Sequence, residues 1–278
     1  MNASNHTIVI KVGGGEGIDP LNLIPEIIEL RDAGIRVVLV HGGSHETNQI
    51  AEQLGHPTRT IISPSGNQSR RTDKTTLDIF KMVYCGKVNK TIVEHLCRAG
   101  AHAIGLSGID AGIWIGKRKS AIRSVENGNT MIIRDDLSGR VESVDAEFIN
   151  SLLDSGLIPV LTPPAVTSDG IAINVDADRA AAATARAIGA QELLLLSNVS
   201  GLLRDPEDRT SLIDTIRGET LDLAHEAAQG RMKNKVLAAE EAILGGVSQV
   251  VIGSASGDRP IERARAGSGT RFCNEVVS

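Results

Sequence analysis

Thr7-Ile-Val-Ile-Lys-Val-Gly-Gly-Gly15 is an apolar, β-branched run that ends in three consecutive glycines. A run of this length, bounded by glycine, predicts a buried strand that leads into a tight loop. Gly13, Gly14 and Gly15 lack a Cβ, so their backbone N–H groups can approach a polyanion closely. Lys11 would place a compact positive charge beside that loop. The alternative is an ordinary turn with a surface lysine, and the rest of the chain has to decide between the two.

The composition is that of a globular domain. The chain has 278 residues, of which 41% are hydrophobic and 23% charged, which suffices for one sizeable core. The net charge of −5, without a sustained basic, aromatic-studded surface, argues against nucleic-acid binding. No window approaches the roughly 18 apolar residues of a membrane span, and the N-terminus lacks a secretory pattern. The three cysteines have neither C-x-x-C spacing nor paired histidines nearby, so we expect reduced thiols in a cytoplasmic protein.

Strands and helices alternate along the chain. A helix is expected from Pro20 to Ala33 and a strand from Arg36 to Val40, which leads into His41-Gly-Gly-Ser44 and another helix. Further strands are expected at 101–106, 157–161, 191–196, 211–216 and 249–252, with amphipathic helices among them. This order predicts an α/β fold with a mostly parallel sheet between helices, whose two glycine loops face one crevice.

Two segments interrupt this alternation. Residues 56–72 are polar and rich in proline and serine, and they predict a hairpin or flap over the cleft. Residues 112–144 alternate apolar and polar positions, which predicts an antiparallel insertion with turns at Asn127-Gly128 and Ser138-Gly139. This insertion carries four clustered cations, Lys117, Arg118, Lys119 and Arg123. They form either a solvated face or a docking patch for an acidic partner.

A nucleotide site in this chain would have to combine separated parts. The dinucleotide fingerprint lacks its last glycine after Gly13, and nothing matches G-x-x-x-x-G-K-[ST]. Lys11 and Lys235 could flank a transferring phosphoryl group, with Asp178 holding both lysines and Asp176 near enough to help with Mg²⁺. The structural alternative is that both aspartates cap the alanine-rich helix and that Lys235 is an exposed helix lysine.

Substrate recognition would fall to the flap and the loops. Arg70 is the strongest candidate, because a guanidinium can bind a carboxylate through two hydrogen bonds. Asn174 is a candidate for the amino-acid backbone, and Gly43 and Ser44 could offer N–H groups to the attacking carboxylate. The alternative for Arg70 is a solvated side chain in a polar loop.

Seven motifs, in order and over nearly the full length, resemble the amino acid kinase family. They are Lys11-Val-Gly-Gly14, His41-Gly-Gly43, Arg70-x-Thr72, Gly105-Leu-Ser-Gly-x-Asp110, Asn174-Val-x-Ala-Asp178, Ser197-Asn-Val-x-Gly201 and Met232-x-x-Lys235. The chain is most similar to the N-acetylglutamate kinase group. Within it, the chain looks like the kinases that act on 2-aminoadipate or glutamate carried by a small, acidic LysW-type amino-group carrier protein. Segments such as Met82-Val-Tyr-Cys-Gly-x-Val-Asn-Lys90 and Gln229-Gly-Arg-Met-Lys233 carry that finer resemblance.

The resemblance implies a single domain, residues 1–278, built as an open αβα sandwich with a sheet of about eight strands. Residues up to about 170 would hold the acyl substrate and the remainder ATP, with Mg²⁺ bound and the protein a homodimer. Lys11 and Lys235 would stabilise the transferring phosphoryl group and Asp178 would orient them. Arg70 and Asn174 would bind the amino-acid moiety, with Gly43 and Ser44 near its reactive end. The residues implied for the nucleotide are Gly13, Gly14, Ser197, Asn198, Gly201, Leu203, Gly230 and Met232.

Three departures bear on the substrate. Ser44 replaces a third glycine, Asp176 an asparagine and Arg231 a glycine of the usual N-acetylglutamate kinase pattern. They favour a carrier-bound substrate, phosphorylated on its side-chain carboxylate for lysine or arginine biosynthesis. The resemblance also gives a docking role to a set of basic residues, Arg71, Lys117, Arg118, Lys119 and Arg123. The alternatives are a kinase for free N-acetylglutamate and a non-catalytic sensor of an amino acid or nucleotide.

Overall fold

The computed structural model describes residues 6–64, 66, 68–126 and 129–273. Its strands are β1 Thr7–Val12, β2 Arg36–His41, β3 Thr60–Ile62, β4 Gln68–Arg70, β5 Ala103–Gly108, β6 Trp114–Arg118, β7 Ile122–Glu126, β8 Asn129–Ile133, β9 Gly139–Val144, β10 Ile158–Thr167, β11 Ala172–Ile173, β12 Glu192–Ser197, β13 Thr215–Ile216, β14 Gln249–Ser254 and β15 Thr270–Cys273.

The α-helices follow most of these strands. They are α1 Ile24–Asp32, α2 Ser44–Gln53, α3 Lys74–Lys81, α4 Asn89–Arg98, α5 Ala146–Asp154, α6 Ala177–Ala187, α7 Leu221–Ala227, α8 Met232–Leu244 and α9 Pro260–Arg265. A π-helical segment, Met82–Val88, joins α3 to α4, and short 3₁₀ turns cover Pro20–Leu23, Asp110–Gly112 and Gly218–Thr220. In the described part of the chain, no helix is both long and apolar enough to cross a bilayer.

The central sheet has the strand order β13-β15-β14-β12-β1-β2-β10-β6-β9, with β5 and β11 also paired to β10. From β14 to β6 along this path, and between β5 and β10, every pair is parallel. Antiparallel pairs occur where β15, β9 and β11 join. The predicted mostly parallel sheet is confirmed. It has eleven strands rather than about eight, because several are short edge strands.

Helices cover both faces of the sheet, which confirms the αβα sandwich. All six residues of β1 are buried. Val9 packs with α5, α6 and α8 on one face, whereas its neighbours Ile8 and Ile10 pack with α1, α4 and α9 on the other. Because β1 is covered on both faces and paired on both edges, it carries the continuous apolar run Ile8-Val-Ile10 before Lys11 rather than an alternating pattern. Its glycine-bounded end therefore lies in the middle of the molecule.

Several predicted boundaries need correction. The turn predicted at Ser138-Gly139 is wrong, because Ser138 bridges Asn174 and Gly139 begins β9. The strand predicted at 211–216 is reduced to β13, and the strand at 101–106 begins later and is half-buried up to Leu106. The Asn127-Gly128 turn lies outside the described residues, between β7 and β8, which pair antiparallel as expected. The 56–72 hairpin is confirmed by the β3–β4 pair.

The last helix and strand, α9 and β15, follow Ser254 and were not predicted. The helix has only six residues, too few for a readable period. A long-range contact stabilises its start, since the buried Glu26 carboxylate accepts hydrogen bonds from the N–H groups of Ile261 and Glu262 at 3.1 and 2.7 Å. A side-chain cap from the other end of the chain leaves no local signal.

Candidate active site

A cavity of about 730 Å³ opens where β1, β2 and β12 end. The β3–β4 hairpin forms one side of it, and the first turns of α6 and α8 form the other. The carboxyl ends of neighbouring parallel strands are the usual ligand-binding edge of such a sheet. The predicted candidates that line it are Lys11, Gly13, Gly14, Ser44, Arg70, Lys119, Asn174, Asp178, Ser197, Asn198, Met232 and Lys235.

Two lysines and one aspartate form the charged centre of the cavity. Lys11 Nζ lies 2.7 Å from one Asp178 carboxylate oxygen, and Lys235 Nζ lies 2.8 Å from the other. Lys11 is the last residue but one of β1, Asp178 is in the first turn of α6, and Lys235 is in the first turn of α8. The three side chains are about one tenth exposed, at 7%, 9% and 11%. Asp178 thus holds both lysines, as predicted.

Electrostatics keeps this centre charged. Burial alone would raise the pKa of Asp178, but the charges and hydrogen bonds of Lys11 and Lys235 hold that pKa well below its usual range. Burial lowers the pKa of Lys235, and the Asp178 carboxylate opposes that shift. The centre carries one more positive than negative charge, and its three side chains are largely shielded from solvent. Such a site can stabilise negative charge that develops on a transferred group.

Asp176 confirms the structural alternative considered for it. It caps α6, because one carboxylate oxygen accepts from Arg179 N–H at 3.0 Å, and its other oxygen accepts from the Asn234 amide at 2.9 Å. Burial, and then the nearby Asp178 charge, raise the pKa of Asp176. Asp178 is not the cap, so its two oxygens remain for the lysines.

The two glycine loops touch each other backbone to backbone. A Cβ on Gly14 would lie 2.1 Å from the Gly43 nitrogen, so only glycine fits there. Ser44 ties the loops together, because its hydroxyl donates to Gly14 O at 2.8 Å. The N–H of Gly13 already donates to Leu196 O at 2.8 Å, so that group is not free for a phosphate. Gly13 and Gly14 instead leave room beside Lys11.

His41 supports the second glycine loop by a hydrogen bond to its backbone. It is buried, its Nδ1 lies 2.9 Å from Gly42 O, and its Nε2 lies 3.0 Å from the Asn89 amide nitrogen. The same nitrogen donates to Val160 O at 2.9 Å. Asn89 therefore donates one proton to each partner, and His41 is the neutral tautomer that donates through Nδ1. Burial lowers the pKa of His41 from 6.5 to about 4.

Acidification should destabilise the protein through His41. The unfolded chain binds a proton on this histidine at a higher pH than the folded one, so the stabilisation is complete above pH 6.5 and is lost as pH falls towards 4. At most about 3 kcal/mol of unfolding free energy is involved. Urea unfolding between pH 7.5 and 4.5 checks this: His41→Gln should lower the pH slope by about one proton. The exposed His102→Gln control should keep the wild-type slope, and equal slopes in all three proteins would contradict the assignment.

Arg70 ends β4 with part of its guanidinium unpaired. Nη2 donates to Ser44 O at 3.1 Å, whereas Nη1 is buried and has no hydrogen-bond partner among the described residues. Burial lowers the pKa of Arg70, Tyr84 opposes the shift and the Arg231 charge adds to it. A buried donor without a partner is costly, and a carboxylate in the cavity would relieve that cost. Asn174 lines the same cavity, and its amide donates to the Thr72 hydroxyl at 3.0 Å.

Removing this guanidinium should weaken binding of the acyl substrate. We expect Arg70→Ala to raise the KM for that substrate about 100-fold, because a charge-assisted hydrogen bond to a carboxylate is lost, and to leave the KM for ATP within about twofold. Steady-state kinetics with either substrate varied checks this. The exposed Arg98→Ala, which loses only a pair with Glu94, is the control. An unchanged KM would remove Arg70 from the site.

Four predicted residues do not line the cavity. Gly43 faces the Tyr84 ring, which a Cβ would approach to 3.1 Å. Gly201 packs against Leu212 and Thr270, and Leu203 forms a bridge with Leu212. Gly230 has φ +50 in the turn before α8, a conformation that glycine adopts readily. These positions shape the loops around the cavity. By contrast Ser197 lines it, with a buried hydroxyl that has no partner among the described residues.

The five basic residues predicted to dock a partner divide into two groups. Arg71 pairs with Asp135 at 2.6 Å and with the buried Asp136 at 3.4 Å. Arg118 donates to the carbonyl oxygens of Asp136 and Arg134 at 2.8 and 2.6 Å. Both guanidiniums thus hold the 134–136 loop. Exposed side chains remain at Lys117, Lys119 and Arg123.

Tyr84 and Asn234 are among the cavity residues that were not predicted. Tyr84 lies in the π-helical segment, whose wide turn has no sequence period to reveal it. The Asn234 amide donates a hydrogen bond to Asp176. In the sequence, only the position of Asn234 next to Lys235 could have indicated that it belongs to the site. Among the described residues, no three side chains of metal-binding type form a cluster. Since both aspartates in the cavity already have partners, Mg²⁺ would enter mainly on the phosphates of a nucleotide, as Mg²⁺ commonly does.

Comparison with known proteins agrees with this geometry. LysW-aminoadipate kinase of Deinococcus radiodurans is 54% identical over 95% of this chain and 90% of its own length. Acetylglutamate kinase of Methanothermobacter thermautotrophicus is 36% identical over 88% of this chain and 84% of its own length. The structure of N-acetylglutamate synthase from Neisseria gonorrhoeae, complexed with coenzyme A and N-acetyl-glutamate, superposes with a TM-score of 0.78 at 24% identity. This last likeness covers 98% of this chain and 60% of that one, and it concerns the fold.

A family-level match covers most of the chain. The model of the amino acid kinase family matches residues 6–254, a range that contains both lysines and Asp178. This chain belongs to the amino acid kinase family.

Proposed function

We propose that this chain is an ATP-dependent kinase that phosphorylates the side-chain carboxylate of 2-aminoadipate, or of glutamate, bound to a LysW-type carrier protein. The product is an acyl phosphate for lysine or arginine biosynthesis. The observation that carries the proposal is the Lys11–Asp178–Lys235 centre in a chain that is 54% identical to a LysW-aminoadipate kinase.

The chemistry needs no protein nucleophile. An ionised substrate carboxylate oxygen attacks the γ-phosphorus of ATP; the new O–P bond forms as the bond to the β–γ bridging oxygen breaks, and ADP leaves. No proton has to move. Lys11 and Lys235 would stabilise the charge on the transferring group from two sides, and Asp178 would keep both lysines oriented. Mg²⁺, when bound to the phosphates, supplies further charge neutralisation.

The two halves of the chain would hold different substrates. Ser44 and Arg70 belong to the half up to about residue 170, which we assign to the acyl substrate together with Asn174 at the boundary. Ser197, Asn198 and Met232 also line the cavity, and all three belong to the half that follows. We assign the nucleotide to that half, with the lysine pair where the two substrates would meet.

The carrier would approach the open side of the cavity. Lys119 lines the cavity, and Lys117 and Arg123 are exposed in the same insertion. Exposed cations of this kind can steer an acidic partner and fix its orientation. Arg71 and Arg118 would contribute by holding the neighbouring loop. We further propose a homodimer in the cytoplasm, where ATP and the biosynthetic carrier are available.

A kinase for free N-acetylglutamate is the second candidate, supported by the relative that is 36% identical. An ATP-dependent hydroxamate assay separates the two. It compares free N-acetylglutamate, carrier-linked glutamate and carrier-linked 2-aminoadipate at equal concentration. Activity confined to the carrier-linked substrates supports the proposal, and their ratio assigns lysine or arginine biosynthesis. Robust turnover of the free acid would overturn it, and failure to hydrolyse ATP with any substrate would favour a sensor.

A further inference from the structure

Tyr84 is the only tyrosine of the chain, and its ring is held rigidly beside the cavity. The residue lies on the π-helical segment Met82–Val88 and is 7% exposed. Its ring stacks on Phe80, with centroids 3.7 Å apart, and faces His41 at 6.5 Å. A π-helical turn inside an α-helix is often found at functional sites. The ring is thus fixed on two sides, and the residue lines the cavity.

The surroundings of the hydroxyl group leave it able to donate. The Tyr84 ring lies against Gly43, where an added Cβ would come within 3.1 Å of it. Among the described residues, the phenol proton has no acceptor. Burial raises the pKa of Tyr84, whereas the charges of Arg70 and Arg231 oppose that shift. The phenol therefore stays neutral and protonated at physiological pH, as a donor must.

Arg70 provides a second donor in the same place. Both side chains line the same cavity and reach the same loop, since Arg70 Nη2 donates to Ser44 O and the Tyr84 ring lies against Gly43. Arg70 Nη1 is buried without a partner among the described residues, while Nη2 is fixed on Ser44 O. Two donors, one cationic and one neutral, thus border the same cavity. A carboxylate has two oxygens and can accept from both.

We propose that Tyr84 is a substrate-binding residue, whose hydroxyl group and Arg70 Nη1 together bind the substrate carboxylate that is not phosphorylated. This inference rests on the proposed function, and it extends the site to a residue in the π-helical segment. The lysine pair defines the reactive end of the cavity. The Tyr84–Arg70 pair would fix the other end of the amino acid. Tyrosine adds a donor there without adding a third charge to Arg70 and Arg231.

Tyr84→Phe removes only the hydroxyl group and keeps the ring that stacks on Phe80. We expect the KM for the acyl substrate to rise about 10- to 100-fold, as is typical when a hydrogen bond to a charged group is lost. Both kcat and the KM for ATP should stay within about threefold. Thr91→Val is the matched control, because it removes a hydroxyl group from α4 that is bonded only to Lys87 O. The control should behave as the wild type.

A spectroscopic measurement separates contact from indirect effects. Because Tyr84 is the only tyrosine, the tyrosine band in the near-ultraviolet difference spectrum reports on this site alone once the carrier contribution is subtracted. Adding carrier-linked 2-aminoadipate without ATP should shift that band in the wild type, and Tyr84→Phe should show no such shift. An unchanged tyrosine band at saturating substrate would overturn the inference.

The two proposals fail differently. If the wild type phosphorylates only free N-acetylglutamate, the carrier-dependent function is wrong, and the same KM comparison is made with that substrate. If the wild type is active on a carrier-linked substrate and Tyr84→Phe keeps the wild-type KM, the function stands and the binding role of Tyr84 is wrong. A fall in kcat with unchanged KM would likewise overturn it, because the hydroxyl group would then act at the reactive end.

Discussion

Replacing Asp178 with asparagine should lower kcat about 1,000-fold. The variant keeps the shape of the side chain but leaves Lys11 and Lys235 buried together without their counter-charge. Burial already lowers the pKa of Lys235, and Asp178 is the group that opposes this. Without it, a buried lysine loses its proton, and one cationic donor to the transition state is lost; such a donor is worth about 100- to 1,000-fold. Single-turnover phosphorylation under saturating ATP measures the effect.

The pH dependence of Asp178→Asn gives a second test of this role. Since the lysines must be protonated to act, the residual activity of Asp178→Asn should increase as the pH is lowered from 8 to 6, as long as the protein stays folded by circular dichroism. Asp78→Asn is a close control, because Asp78 bridges Lys74 and Lys81 in the same way at the exposed surface. It should have wild-type activity, since exposed pairs contribute little. Near-normal turnover by Asp178→Asn would refute the role of the carboxylate.

Lys235→Ala should lower kcat about 100- to 1,000-fold while changing ADP affinity only a few-fold. The lysine acts on charge that develops in the transition state, and such an interaction affects rate more than ground-state binding. Its position in the first turn of α8, 2.8 Å from Asp178, is the structural basis. Steady-state kinetics and calorimetric titration with ADP measure the two quantities.

The control for Lys235→Ala is Lys74→Ala, which removes a lysine that is 75% exposed and pairs with Asp78. It should leave both kcat and ADP affinity unchanged. If Lys235→Ala lowered affinity and rate by the same factor, Lys235 would be a nucleotide-binding residue with no special role in the transition state.

The pattern of strands and helices could be predicted because neighbouring residues in the sequence determine it. The apolar run Ile8-Val-Ile10 in β1 and the glycines that follow the strand indicate a strand buried on both faces. The grouping of Lys11, Asp178 and Lys235 could not be derived from spacing, since they come from three elements far apart in sequence. It came from the order of the motifs. Pairing of β1 with β12 brings those elements together.

The rest of the site depends on contacts without local signals. Tyr84 reaches the cavity through a π-helical turn, and hydrophobic periodicity assumes an α-helix. Asn234 acts through Asp176, a partner from a different helix. Gly201 and Gly230 were predicted to contact a nucleotide. Close packing accounts for glycine at position 201, and the positive φ accounts for glycine at position 230. A glycine in a motif reveals that the backbone is special there, without saying whether a ligand or the protein itself requires it.

The central position of β1 also has a consequence for synthesis of the protein on the ribosome. One edge of β1 pairs with β2, which is translated soon afterwards, but the other edge waits for β12, which begins at Glu192. At about 5–20 residues per second, that wait lasts roughly 10 to 40 s. During this time an apolar, β-branched strand has an open edge, the feature that favours intermolecular association. Slow translation should therefore increase the need for chaperones. The yield of folded protein should depend on whether β1 is protected from association until β12 has been synthesised.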